Sequence, residues 1–205
     1  MDFETLIKER RSANNFIESE KISKKELDEI FDLTKFAPSC FNLQHTKYIV
    51  VIDPEKKEQL REAAFRQYKV HTASAAILVL GNKDEYKNAE SLYEGMLNLK
   101  ILNKQEYDAT ISAIHGLYDS RGDDFKRDEA IRNACLSAMI FMLAAKDKGW
   151  DTCPMIGFDP DAVRSLFNIP DNYVPALLIT IGKADTSKQG VRGYRKFVNE
   201  FVEYI

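Results

Sequence analysis

Three histidines, three cysteines, one tryptophan and nine glycines among 205 residues leave little room for several common chemistries. Cys40, Cys135 and Cys153 are odd in number, widely spaced and form no C-x-x-C pair, so neither a disulfide framework nor a structural zinc site is indicated. His45, His71 and His115 make no H-E-x-x-H pattern and argue against acid–base work by paired imidazoles. There is no G-x-G-x-x-G turn after a strand, no Walker loop and no G-x-S-x-G elbow. Rossmann dehydrogenases, P-loop NTPases and serine hydrolases of the α/β type are thereby disfavoured. Charge of one sign is lacking too: 29 basic and 32 acidic residues give a net charge of −3. Such a balance provides no overall attraction to nucleic acid or anionic membranes, so any anion site must be a local cluster. No apolar run is long enough to span a bilayer, and the opening Met-Asp-Phe-Glu lacks the basic start and apolar middle of a signal peptide. The expectation is a soluble, cytoplasmic protein with neither a nucleic-acid nor a membrane partner.

What is present fits one domain over residues 1–205, with ordinary hydrophobic (44%) and charged (30%) fractions and no linker composition dividing it. Asp2 caps a short helix bearing Phe3, Leu6 and Ile7. Ser23 and Glu26 form a capping box for a second helix that should stop before Pro38. Residues 47–53 and 75–81 read as buried strands and Pro175 to Gly182 as a third. Pro54 starts a charged helix through about Phe65, and further helices follow from about Glu85 and over Lys104 to about Tyr118. The strongest helical signal runs from about Asp124 to Lys148. Its middle, Ala134 to Ala145, is apolar nearly all round, which predicts burial on every side or a place in a subunit interface. Asp159 and Pro160 open one more short helix. The tail carries Phe197, Phe201 and Tyr204, anchors that normally dock onto the core or a partner chain. Strands alternating with helices give an α/β or α+β class.

Four segments have the composition of a binding site. Arg10-Arg11-Ser12-Ala13-Asn14 offers two guanidiniums and a hydroxyl for a phosphate, although a bare R-R-S is more often a solvated surface. Ala37-Pro38-Ser39-Cys40-Phe41-Asn42-Leu43-Gln44-His45 lies between a helix end and a strand, and Ser39, Asn42 and Gln44 supply uncharged hydroxyl and amide groups suited to a polyol or a heteroaromatic ring; a capped turn facing water is the plainer reading. In Cys153-Pro154-Met155-Ile156-Gly157-Phe158-Asp159, glycine lets the backbone approach a flat ligand, and the same segment serves as a strand-to-helix turn. Arg192-Gly193-Tyr194-Arg195-Lys196 is a second cationic cluster that by itself reads as an exposed tail.

Taken in order, Arg10-Arg11-Ser12, then Ala-Pro-Ser-x-x-Asn-x-Gln, then Pro-Met-Ile-Gly-Phe-Asp, then a late arginine pair, the chain resembles the nitroreductase family over essentially its whole length. Within that family it is similar to the NAD(P)H nitroreductases of Gram-positive bacteria, in a subgroup associated with quinone stress. The resemblance implies an α+β fold with a central, mainly antiparallel sheet flanked by helices. It implies an intertwined homodimer with FMN at the interface, NADPH or NADH as electron donor, and an electron-poor nitroaromatic or quinone as acceptor in a ping-pong cycle. It places Arg10, Arg11, Ser12, Arg192 and Arg195 on the FMN phosphate, and Asn14 and Gln67 at the flavin pyrimidine edge. Lys69 is a candidate for extra positive charge there. Pro38, Ser39, Cys40 and Asn42 are expected to contact the FMN held by the other subunit, and Pro154, Met155, Ile156 and Gly157 to lie at the flavin, with the amides of Ile156 and Gly157 near N5. No catalytic side chain is implied, because flavin N5 is the reactive centre. The chain departs from a common family pattern at Gln44-His45-Thr46, where many members have Gln-Pro-Trp, and at Ile156, where some have Glu, so substrate preference does not carry over. Two other classes stay open: a non-catalytic FMN carrier or sensor, and a thiol redox protein using Cys40 with His45 lowering its pKa.

Overall fold

Strand β2 (Ala75–Asn82) is buried along its whole length, which is why it reads as an unbroken apolar run rather than an alternation. The computed structural model describes residues 2–188 and 190–205; Met1 and Gln189 lie outside the described residues. It places β2 inside a four-stranded sheet of order β1-β2-β4-β3, with β1 at Thr46–Val51, β3 at Asp151–Met155 and β4 at Tyr173–Gly182. Every neighbouring pair is antiparallel. Alternate residues of β2 serve opposite layers. Ala75, Ile77 and Val79 meet α2 (Lys24–Thr34) and the later part of α6 (Lys104–Asp147) through Ile30, Ala134, Ala138 and Phe141. Ala76, Leu78 and Leu80 meet α3 (Pro54–Ala63), α4 (Tyr68–Thr72) and α7 (Pro160–Phe167) through Leu60, Val70 and Val163. The class is therefore α+β, with helices on both faces of an antiparallel sheet.

The caps expected from sequence are formed. Asp2 accepts from the Thr5 N–H at 3.0 Å to start α1 (Phe3–Glu9), and the Ser23–Glu26 box opens α2. Asp159 accepts from the N–H groups of Asp161 and Ala162 at the start of α7. Other elements differ from expectation. The two helices expected over Lys104 to Tyr118 and Asp124 to Lys148 form one run, α6, broken only at Gly122, whose φ of 76° suits glycine alone. Helix α3 stops at Ala63 rather than near Phe65, because Phe65 and Arg66 turn into left-handed backbone. A 3-10 turn over Glu85–Asn88 precedes α5 (Ala89–Asn98). Strand β4 starts at Tyr173, ahead of Pro175, and β3 joins the sheet as a fourth strand.

Two features position the site. Helix α6 lies directly on the β2 backbone, since a Cβ at Gly81 would collide with the Ala130 carbonyl. A satellite core of Leu43, Tyr86, Ala89, Ile111, Ile114 and Tyr118 ties the hairpin of α5 and early α6 to the loop that enters β1. The apolar stretch Ala134 to Ala145 is buried on one side only: Leu136 and Met139 remain 46% and 36% exposed in the single chain. The aromatic tail likewise leaves Tyr194, Phe197, Phe201 and Tyr204 exposed instead of docking on its own core.

Candidate functional site

The outer edge of β3 gathers most of the candidate residues. Ser12 bridges to Thr152, and the Ala13 N–H donates to the Thr152 carbonyl at 3.0 Å, so the R-R-S segment runs onto that edge. From the other end of the chain, Arg192 Nη2 donates to the Arg10 carbonyl at 2.7 Å, and Arg11 Nη2 donates to the Gly190 carbonyl at 2.7 Å. Arg10, Arg11, Ser12, Arg192, Gly193 and Arg195 line one hollow of about 170 Å³. Burial, and then the like charges of Arg192 and Arg195, hold the Arg10 guanidinium below its usual range. Arg11, Arg192 and Arg195 each donate to a neutral carbonyl while the cations repel, which is the electrostatic state of an anion site.

Further along the same strand the chemistry changes. Lys69 Nζ lies 3.4 Å from Cys153 Sγ, and Gln67 Nε2 donates to the Gly157 carbonyl at 2.6 Å. A Cβ at Gly157 would stand 3.1 Å from Gln67 Nε2, so glycine is what permits this close approach. From Thr152 to Met155, where β3 ends, the backbone covers roughly 10 Å at about 3.3 Å per residue, and the chain then turns at Ile156 to Phe158. The edge is thus polarised, with a cationic end at Arg10 and Arg192, a single cation midway at Lys69, and an amide-and-backbone end at Gln67 and Gly157. Asn14 is exposed in an adjoining hollow with Arg11, Ala184 and Asp185. Pro154 is half-buried, and Met155 turns its side chain into the core, leaving only its backbone to the edge. Ile156 is 79% exposed.

Pro38, Ser39, Cys40 and Asn42 are elsewhere. Their turn enters β1, and β1 and β3 are the opposite edges of the sheet, three strand spacings or about 14 Å apart. The turn is strained: Phe41, Asn42 and Gln44 have φ of 49°, 52° and 57°, each costing on the order of 1 kcal/mol. It is held by the Cys40 N–H donating to Asn133 Oδ1 at 2.8 Å and by Tyr93 Oη donating to the Phe41 carbonyl at 2.9 Å. A cavity of about 250 Å³ beside it is lined by Phe31, Pro38, Ser39, Gln44, Tyr48 and Asn133, among others. Within one chain the candidate residues consequently fall into two separate groups.

The pairing of His45 with Cys40 is not found. His45 is 1% exposed, its Nε2 lies 3.0 Å from the Tyr118 hydroxyl, and burial pushes its pKa down to about 4. A neutral, buried imidazole supplies no cation to activate the Cys40 thiol. Tyr118 lies beside Cys40, and burial raises its hydroxyl above the usual range. Asn133 and Tyr93, which hold the turn, belong to none of the four motifs. The one available signal was an asparagine bordering an apolar helical stretch, which must find partners when buried.

The nitroreductase family model matches residues 7–183. A provisionally named NAD(P)H nitroreductase of Bacillus subtilis, MhqN, is 56% identical over 204 residues, covering 100% of this chain and 99% of its own. The crystal structure of a provisional nitroreductase, ydfN, from Bacillus subtilis superposes with a TM-score of 0.97 at 56% identity, covering 99% of this chain and 98% of that one. A provisional nitroreductase of Exiguobacterium sibiricum, solved in complex with FMN, superposes with a TM-score of 0.91 at 30% identity, covering 100% and 98%.

Proposed function

Because the chain belongs to the nitroreductase family, we propose that it is a cytoplasmic, FMN-dependent oxidoreductase, one domain over residues 1–205, that uses NADH or NADPH to reduce nitroaromatics or quinones. The observation that carries this reading is the polarised edge of β3, cationic at one end and amide-lined at the other. A phosphate-bearing heteroaromatic cofactor has the same polarity. When bound, FMN supplies the electron-transfer chemistry. Arg10, Arg11, Ser12, Arg192 and Arg195 hold its phosphate; Arg11, Arg192 and Arg195 exchange carbonyl partners for a dianion, and the mutual repulsion at Arg10 is relieved. Gln67 and the Gly157 backbone hold the ring edge, and Lys69 places positive charge beside it. The exposed side chain of Ile156 gives the open face an apolar border for an aromatic acceptor.

The functional unit in this reading is a homodimer. Pro38, Ser39, Cys40 and Asn42 occupy the sheet edge opposite the cationic cluster, so they complete the site of a second copy rather than their own. The exposed stripe of α6 and the undocked aromatic tail supply apolar surface for that association.

An anaerobic visible spectrum of the purified protein, before and after NADPH or NADH, tests the proposal. A flavin band that bleaches and returns on adding a quinone or nitroaromatic supports it. A band that never bleaches identifies a non-catalytic FMN carrier or sensor. No band, even after incubation with FMN, overturns it.

A further inference from the structure

The turn from Ser39 to Gln44 places three residues with side chains in left-handed backbone, and such backbone persists only where surroundings over-determine it. Inside the turn the Asn42 N–H donates to the Ser39 carbonyl at 3.0 Å, and the Gln44 N–H to Ser39 Oγ at 2.9 Å. Among the described residues, two of the turn's backbone groups are tied from outside. Asn133, which receives the Cys40 N–H, is buried and fixed by its own donation to the Glu129 carbonyl at 2.7 Å. Tyr93 is different: it is half-buried, sits on α5, and reaches the Phe41 carbonyl from a hairpin whose outer side exposes Leu92, Met96 and Leu99. The Phe41 carbonyl belongs to the peptide between the two adjacent left-handed residues, Phe41 and Asn42. The orientation of that peptide plane couples ψ of Phe41 to the left-handed φ of Asn42.

We propose that Tyr93 is a positioning residue for the cofactor site: its hydroxyl pins the Phe41–Asn42 peptide and so fixes the turn that presents Pro38, Ser39, Cys40 and Asn42. This rests on the reading of that turn as an FMN contact. It makes the α5–α6 hairpin part of the site's scaffold, since Ile114 and Tyr118 of the same hairpin, with Tyr86 of the turn before it, pack around Leu43. Burial and the neighbouring Cys40 raise the Tyr93 hydroxyl above its usual range, so it stays protonated and remains a donor. Asn133 holds the other side of the same turn, and the two ties divide the work: one fixes the Cys40 N–H, the other the Phe41 carbonyl.

The test is Tyr93→Phe, which removes one hydroxyl from a half-buried ring. Peptide-resolved hydrogen–deuterium exchange on the FMN-free protein should show faster exchange over residues 40–44, with β1 and β2 unchanged. The Kd for FMN, from fluorescence quenching, should rise about three- to tenfold, the loss expected of one hydrogen bond. Unchanged exchange over 40–44 overturns the proposal. So does faster exchange spread through the sheet, which would make Tyr93 merely structural, or a loosened turn with an unchanged Kd. If wild-type protein binds no FMN, the cofactor reading fails instead, while the exchange measurement still decides whether Tyr93 fixes the turn.

Discussion

Arg192 donates to the main-chain carbonyl of Arg10 over 2.7 Å, joining the last cationic segment of the chain to the first. The bond satisfies a donor without neutralising a charge, and Arg10 stays depressed by burial and by its cationic neighbours. Replacing Arg192 with Gln therefore removes a repulsive charge from the free protein and an attractive one from the complex. The expected outcome is an unchanged melting temperature without FMN and an FMN affinity lower by about tenfold, the scale of one charge-assisted hydrogen bond. Fluorescence titration at two salt concentrations checks it, and the wild-type affinity should fall more steeply with salt than that of the variant.

Gly81 faces the Ala130 carbonyl so closely that a methyl group has no space, and the obstacle is helix backbone rather than a movable side chain. Gly81→Ala must displace α6 from β2, at a cost of about 1–3 kcal/mol. Gly182→Ala meets the ring of Phe16 instead, at 2.7 Å, and a ring can tilt. Thermal unfolding should place Gly81→Ala below Gly182→Ala; the reverse order would mean that α6 is not seated as described.

Local signals explain which parts were legible in the sequence. The Ser23–Glu26 box, the apolar run of β2 and the Asp159–Pro160 start each act within a few residues, and each appears where expected. Strand β3 contains Pro154, which forfeits a ladder donor and is tolerated because β3 is an edge strand, a fact held only in the sheet order. Helix α6 was split by Gly122 and the charged residues around it, whose helical state is decided by packing on either side. Four short motifs in order mark the candidate site, but the meeting of Arg10 with Arg192 spans 182 positions. Tyr93 and Asn133 act on single backbone groups of a distant turn, and such bonds leave no periodic mark in a sequence.

His45 is buried against Tyr118 with its pKa pushed down to about 4, chiefly by desolvation. Above the ordinary histidine pKa of about 6.5 both folded and unfolded chains carry it neutral, so it places no pH dependence on stability there. As pH falls from about 6.5 towards 4, the unfolded chain takes up the proton first and stability is lost, reaching about 3 kcal/mol below the folded value. His45→Gln removes that proton uptake. Urea unfolding at pH 7 and at pH 5 should show a smaller loss of stability for the variant than for wild type. Equal losses would mean that His45 does not titrate as a buried neutral group.

Helix α6 buries Ala134, Ala138 and Phe141 against the sheet while Leu136 and Met139, three residues apart on the opposite side, stay open to solvent. An apolar stripe backed by a buried helix is stable surface, not a frayed end, and a second copy of the chain can cover it without unfolding anything. A carboxylate there leaves the single chain's own core untouched but cannot be desolvated unpaired in an interface. Leu136→Asp is therefore expected to yield a folded monomer by sedimentation velocity, with an unshifted far-ultraviolet spectrum. Because the Pro38-to-Gln44 turn and the arginine cluster sit on opposite sheet edges, that monomer should also bind FMN at least tenfold more weakly, roughly the loss of the second chain's hydrogen bonds. A monomer that keeps full FMN affinity would show that one chain closes the site alone.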